Sequence, residues 1–268
     1  MIKRKIMKAL YKTICVAAIC AVPATAFGAS GNDGSEAVKF GLLEGIEYEV
    51  NAGTNIGGAT PLPIPAEIRH IDSFSPRLNL QIGAKVTKWF ATDKKWGVAL
   101  GVRFETKGMD TKATVKNYGM EIYDNGNKLS GRWTGKVNTK YQSQQLVVPV
   151  TAVLRVHRRT VLNAGPYFSY AFSNSFDGFV HDGYLREGGP TGDKYVFEDG
   201  SRASYDFGEN LSTFQWGMQA GVSWSAYKHL VVNANLVWGC NDIFESSFKT
   251  ISFDLYPVYL NFGFGYVF

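Results

Sequence analysis

Cysteine is scarce in this 268-residue chain: three residues, at 15, 20 and 240. Two of them fall in an N-terminal leader, so the remainder holds Cys240 alone. One thiol excludes an intramolecular disulfide and a thiolate metal cluster. Histidine is scarce too, with only His70, His157, His181 and His229. A net charge of one sign is also missing. The formal +5 equals the five basic residues of the leader, Lys3, Arg4, Lys5, Lys8 and Lys12, which has no acidic residue. Without the leader the chain is neutral, and the charge argument for a nucleic-acid partner disappears. Beyond the leader no apolar run reaches 18 residues, too short for a membrane-crossing helix.

The leader is legible by itself. A basic start precedes the apolar stretch from Thr13 to Val22, and Ala24-Thr25-Ala26 and Ala26-Phe27-Gly28 offer small residues for cleavage. This is the pattern of a secretory signal peptide over residues 1–29, cut near 26–29. A short periplasmic segment over 30–45 and a barrel domain over 46–268 are expected to follow.

What is abundant is alternation with a period of two, which puts successive side chains on opposite faces of a strand. The last segment is the clearest. Tyr256, Val258, Leu260, Phe262, Phe264, Tyr266 and Phe268 alternate with residues that include Asn261, Gly263 and Gly265. Comparable segments run through Ile46–Gly53, Leu78–Thr87, Trp96–Glu105, Leu146–Arg155, Leu162–Phe172, Phe214–Trp224 and Leu230–Gly239. Eight segments of about ten residues suit tilted membrane strands. The bulky set suits lipid, and the set rich in Gly, Asn and Gln suits a narrow interior.

The linkers alternate between long (54–74, 108–141, 174–211, 241–255) and short (91–94, 157–160, 226–229). Membrane barrels pair long outer loops with short periplasmic turns. The expected fold is therefore all-β: an eight-stranded antiparallel up-and-down transmembrane β-barrel in the cell outer membrane, both termini periplasmic.

Ala52-Gly53-Thr54-Asn55, Leu146-Val147-Val148-Pro149-Val150, Asn163-Ala164-Gly165-Pro166-Tyr167 and the run Leu260–Phe268 occur in that order. In these stretches the chain resembles the PorT-like family, the outer-membrane-protein β-barrel domain of Bacteroidota. The resemblance implies an integral outer-membrane barrel and no single function. The terminal Phe268 resembles the signal read by the barrel-assembly machinery, an expected partner alongside outer-membrane lipid.

Glu47, Glu49, Lys85, Arg103, Glu105 and Arg155 fall on the inward set and form a candidate lumen charge network. Opposite signs are expected to pair there, because an unpaired confined charge is costly. Among the outer linkers, 108–141 carries a net +3 and 174–211 a net −5. Opposite charge suits docking of the two. Phe179, Tyr184, Tyr195, Phe197, Tyr205 and Phe207 form a candidate contact surface for an envelope protein or a glycan. His181-Asp182 is read as two polar neighbours in a solvated loop rather than a catalytic pair. Asp193, Glu198 and Asp199 lack the spacing of a calcium loop. No cofactor, metal or catalytic residue is expected. The leading function is presentation of loops for partner or surface binding. A narrow channel or small-solute transporter comes second, and a lipid- or protein-modifying enzyme third.

Overall fold

The structure, a computed structural model, describes residues 45–90, 94–124, 127–188 and 191–268. The expected leader and nearly all of the segment after it lie outside the described residues. Ten strands are present among the described residues: β1 (Ile46–Pro61), β2 (Ile68–Pro76), β3 (Asn79–Phe90), β4 (Trp96–Asp124), β5 (Asn127–His157), β6 (Thr160–Glu187), β7 (Lys194–Asp206), β8 (Phe214–Tyr227), β9 (Leu230–Gly239) and β10 (Leu255–Val267).

Eight of them close a ring in the order β1-β3-β4-β5-β6-β8-β9-β10, every pair antiparallel. The first strand meets the last from Glu49↔Val267 to Pro61↔Leu255. As far as the end of the β1–β3 ladder at Asn55↔Asn79, closure pairs both edges of each ring strand, a requirement for sheet surrounded by hydrocarbon. The alternating segments of the sequence supply this ring. Leu100, Phe104, Trp216, Leu236, Phe262 and Phe264 are exposed on its outside, while Gln81, Glu105, Gln145, Gln215 and Asn261 are buried inside.

The long linkers differ from expectation. Three of them are largely strand. Strands β4, β5 and β6 are 29, 31 and 28 residues long. At about 3.3 Å per residue, β5 runs roughly 100 Å, far more than the ten or so residues a membrane strand needs. β2 pairs along β4, and β7 pairs along β6 and touches β4 at Tyr123↔Ser204. The linkers form sheet because alternation continues through them, with the faces exchanged. Here the inward side chains are apolar: Met109, Val115, Trp133, Val137, Tyr141, Phe176, Val180 and Leu185 are buried. Outward stand Lys112, Lys116, Lys128, Lys136 and Lys140. Two β-bulges, on β4 between Val115 and Tyr118 and on β6 between His181 and Tyr184, shift the parity of those strands and keep apolar residues inside. Only 241–255 is irregular, and its Ile243, Phe244 and Ile251 close over the same apolar core.

Candidate functional site

Two regions concentrate chemistry: the interior of the ring and the outer face of the β-extension.

Inside the ring, the register sets the ion pairs. Glu49 stands opposite Lys85 on β3, and its carboxylate meets Lys85 Nζ at 2.8 Å. The other carboxylate oxygen accepts a hydrogen bond from Asn233 Nδ2 at 2.7 Å. Further along, Glu105 lies between two cations: Arg103 Nε at 3.0 Å and Lys107 Nζ at 2.9 Å. The Glu105 and Lys107 side chains are both 0% exposed. Lys107 also lies 5.5 Å from the Tyr167 ring centre and 5.3 Å from that of Tyr259. Ring faces carry partial negative charge, so they add to the Glu105 attraction. Above this, Asn261 donates to Gln81 at 3.0 Å and to Asn55. Asn55 Nδ2 in turn donates to the Thr106 carbonyl at 3.1 Å.

Room for these groups comes from glycine. A β-carbon on Gly83 would press on Arg103 Cγ at 3.1 Å, and one on Gly265 would meet Glu49 Oε1 at 2.6 Å. The void left in this section is about 50 Å³ and is lined by groups such as Glu49, Lys85, Arg103 and Gln219. That is room for a few water molecules at most.

All six lumen residues read from the sequence therefore take part in ion pairs, in separate layers. Glu47 and Arg155 lie 3.7 Å apart near the short-turn end. Trp89 joins them: its indole N–H donates to Glu47 at 3.3 Å, and its ring lies 4.5 Å from the Arg155 guanidinium. Sequence reasoning missed Lys107. Its parity with Arg103 and Glu105 was the available signal, but its position beside the 108–141 linker hid it.

On the extension, the six aromatics split. Phe197, Tyr205 and Phe207 are buried in the apolar core. These three are a correction: they do not belong to a contact surface. They alternate onto the inward face of β7 or pack beside it, where Phe176, Trp133 and Phe248 receive them. Of the other three, Phe179 and Tyr184 are half-buried and Tyr195 is exposed. Tyr184 has Lys194 Nζ 4.5 Å and the Arg186 guanidinium 5.7 Å from its ring centre. Phe179 has the Arg202 guanidinium at 4.8 Å. Tyr195 is 38% exposed and donates to Glu187 at 3.2 Å.

The oppositely charged linkers are joined along the β5–β6 ladder from Gly131↔Glu187 to Tyr141↔Phe176. Across it Lys136 of β5 and Asp182 of β6 pair at 3.0 Å, and His181 Nδ1 approaches the same carboxylate oxygen at 3.1 Å. The Lys136 hydrogen bond, with help from His181, holds the Asp182 carboxyl below the usual carboxylate range. That oxygen is already shared, which fits a structural clasp. The side chains of Glu198 and Asp199 lie outside the described ones.

A family model described as outer membrane protein beta-barrel domain matches residues 32–245. The chain belongs to this family. With its ring of eight strands and apolar outer belt, this barrel domain resides in the outer membrane. Solved structures to which the chain is similar at low identity include the following three. One is Ail, the attachment invasion locus protein of Yersinia pestis, in complex with the heparin analogue sucrose octasulfate. It is 12% identical with a TM-score of 0.36, over 83% of this chain and 99% of that one. Neisserial surface protein A is 12% identical with a TM-score of 0.32, over 83% and 97%. The outer membrane protein OprG from Pseudomonas aeruginosa is 12% identical with a TM-score of 0.34, over 83% and 95%. No curated protein matches the chain.

Proposed function

We infer that this barrel is a non-enzymatic anchor that holds its β-extension outside the cell to bind an acidic envelope protein or glycan. In this reading residues 1–29 are removed on export, both termini lie in the periplasm, and the barrel-assembly machinery inserts the ring. Pro149 and Gly165-Pro166 favour the PorT-like branch of the family. The observation that carries the function is the β6–β7 face, where Tyr184 and Phe179 lie beside Lys194, Arg186 and Arg202. Aromatic rings with neighbouring cations supply stacking area and charge to an anionic partner.

The test is binding of barrel in lipid nanodiscs to arrays of acidic glycans and to acidic envelope proteins. The combined variant F179A/Y184A/Y195A is expected to lose at least tenfold in affinity while keeping its heat-modifiable gel mobility. Unchanged binding would move the site off this face.

A narrow channel is the second reading. Its support is the polar lining of the lumen, where Asn163, Gln215 and Tyr167 carry buried polar atoms with no protein hydrogen-bond partner. Planar-bilayer recording is expected to give no steady conductance, because the Glu105–Lys107 pair blocks the bore. Steady conductance that changes in E105Q would favour the channel.

A further inference from the structure

Above the point where β3 begins, the ring wall has a seam. β1 pairs with β3 only as far as Asn55↔Asn79. Residues 56–61 of β1 keep their ladder to β10. On the other side β2 takes the place of β3, and β2 pairs with β4, not with β1. Among the described residues no ladder joins β1 to β2. The seam is bridged by side chains, with the Phe74 ring resting over the bare backbone of Gly58.

Behind the seam lies a cavity of about 310 Å³ whose lining includes Ala59, Met109, Ala113, Val115, Val137 and Phe176. That volume is at the lower end of small-molecule sites, and the predominantly apolar lining is typical of them. Two further lining residues, Ile71 and Phe74, are each 48% exposed and so mark the mouth. The mouth sits directly over the apolar belt: Leu78, Leu80 and Ile56 are exposed just below it. One polar atom in the lining has no partner, the buried Thr111 hydroxyl. A buried hydroxyl left unbonded is costly, and a ligand oxygen would relieve that cost. Two residues along β4 from the lining Met109, Lys107 pairs with Glu105 at 2.9 Å.

We propose that this cavity binds a single hydrocarbon chain bearing an oxygen group, entering sideways through the β1–β2 seam, with Thr111 as its hydrogen-bonding anchor. An apolar chain reaches the seam along the belt without crossing water. The chain has two possible sources, a free fatty acid or the acyl tail of a membrane lipid. The proposal goes beyond partner binding by the β6–β7 face and is independent of it.

The test is photolabelling of the full barrel in phosphatidylcholine nanodiscs. One arm carries a diazirine-bearing palmitic acid and the other a diazirine-bearing phosphatidylcholine. Labels within 109–115 and 253–258, chased by unlabelled palmitic acid, are expected in at least one arm. The arm that labels identifies the source. A113W, which fills the cavity, should cut that labelling at least tenfold and leave belt labels on 260–268 unchanged. If A113W loses its heat-modifiable mobility, T111V replaces it, with an expected several-fold weaker chase by palmitic acid. Labels confined to the belt in both arms would overturn the proposal. So would cavity labels that no unlabelled acid displaces, or that survive every correctly folded cavity variant unchanged.

Discussion

Glu105 is the residue on which the lumen turns. Its carboxylate balances two cations, and burial leaves no water to replace it. Removing one partner of a buried pair costs about 3–5 kcal/mol, because the remaining charge stays buried and unpaired. E105Q is expected to destabilise the barrel by about that much in guanidinium unfolding followed by tryptophan fluorescence. E105Q/K107M should recover part of the loss, since it removes one stranded cation. Asp182 gives a second prediction at this scale. It lies beyond the belt, and its carboxyl titrates below the ordinary value of 3.8 because Lys136 bonds the charged form. For an acid shifted down on folding, the stabilisation is complete above the unfolded value and is lost as pH falls through the folded one. A carbon-13 titration of the Asp182 carboxyl should show a midpoint below 3.8, and K136M should move it upward. Parity made Glu105 and its neighbours legible in the sequence. Parity alone did not decide which cation meets which anion, because strand register and tilt set that.

At the scale of elements, the extension of β4, β5 and β6 carries the information the sequence left ambiguous. Linkers 108–141 and 174–211 contain Gly, Asn, Asp and many charges, which favour loops. Their apolar residues are spaced by two only between bulges, so a uniform alternation never emerges. Long hairpins form because Trp133, Tyr141, Phe176, Leu185 and Phe197 bury one another. Trp133 is 0% exposed. W133A is expected to cost about 3–5 kcal/mol through lost burial and the cavity left behind. Hydrogen exchange should localise that loss, with faster exchange over 118–137 and 176–205 and little change in β8, β9 and β10. Loss of protection around the whole ring would contradict a separately packed extension. The same inward turn explains why Phe197, Tyr205 and Phe207 left the contact surface, while Phe179 and Tyr184 stayed half-buried and Tyr195 exposed.

Taken whole, the barrel changes its inside-outside rule along its length. Where lipid surrounds it, apolar side chains point out and polar ones pair within. Beyond the belt the surroundings are water, and the core is apolar as in a soluble barrel. Leu100 on the belt is 53% exposed, and L100R is expected to cost about 2–4 kcal/mol in lipid. Thr114, on the outward set of the extension, donates to Asp72 at 3.0 Å, and T114R, whose guanidinium reaches the same exposed carboxylate, should cost no more than about 1 kcal/mol. Equal costs, measured by unfolding in bilayers, would place the belt boundary elsewhere. The sequence by itself determined the eight-strand ring, its lipid-facing set and its charged interior, because period-two alternation encodes a face without reference to any distant residue. Only the tertiary structure decided that three linkers are sheet, that Lys107 completes the plug, and that β2 stands where β3 would have sealed the wall. Those outcomes depend on pairing and burial between residues far apart in the chain, and local patterns do not record such contacts.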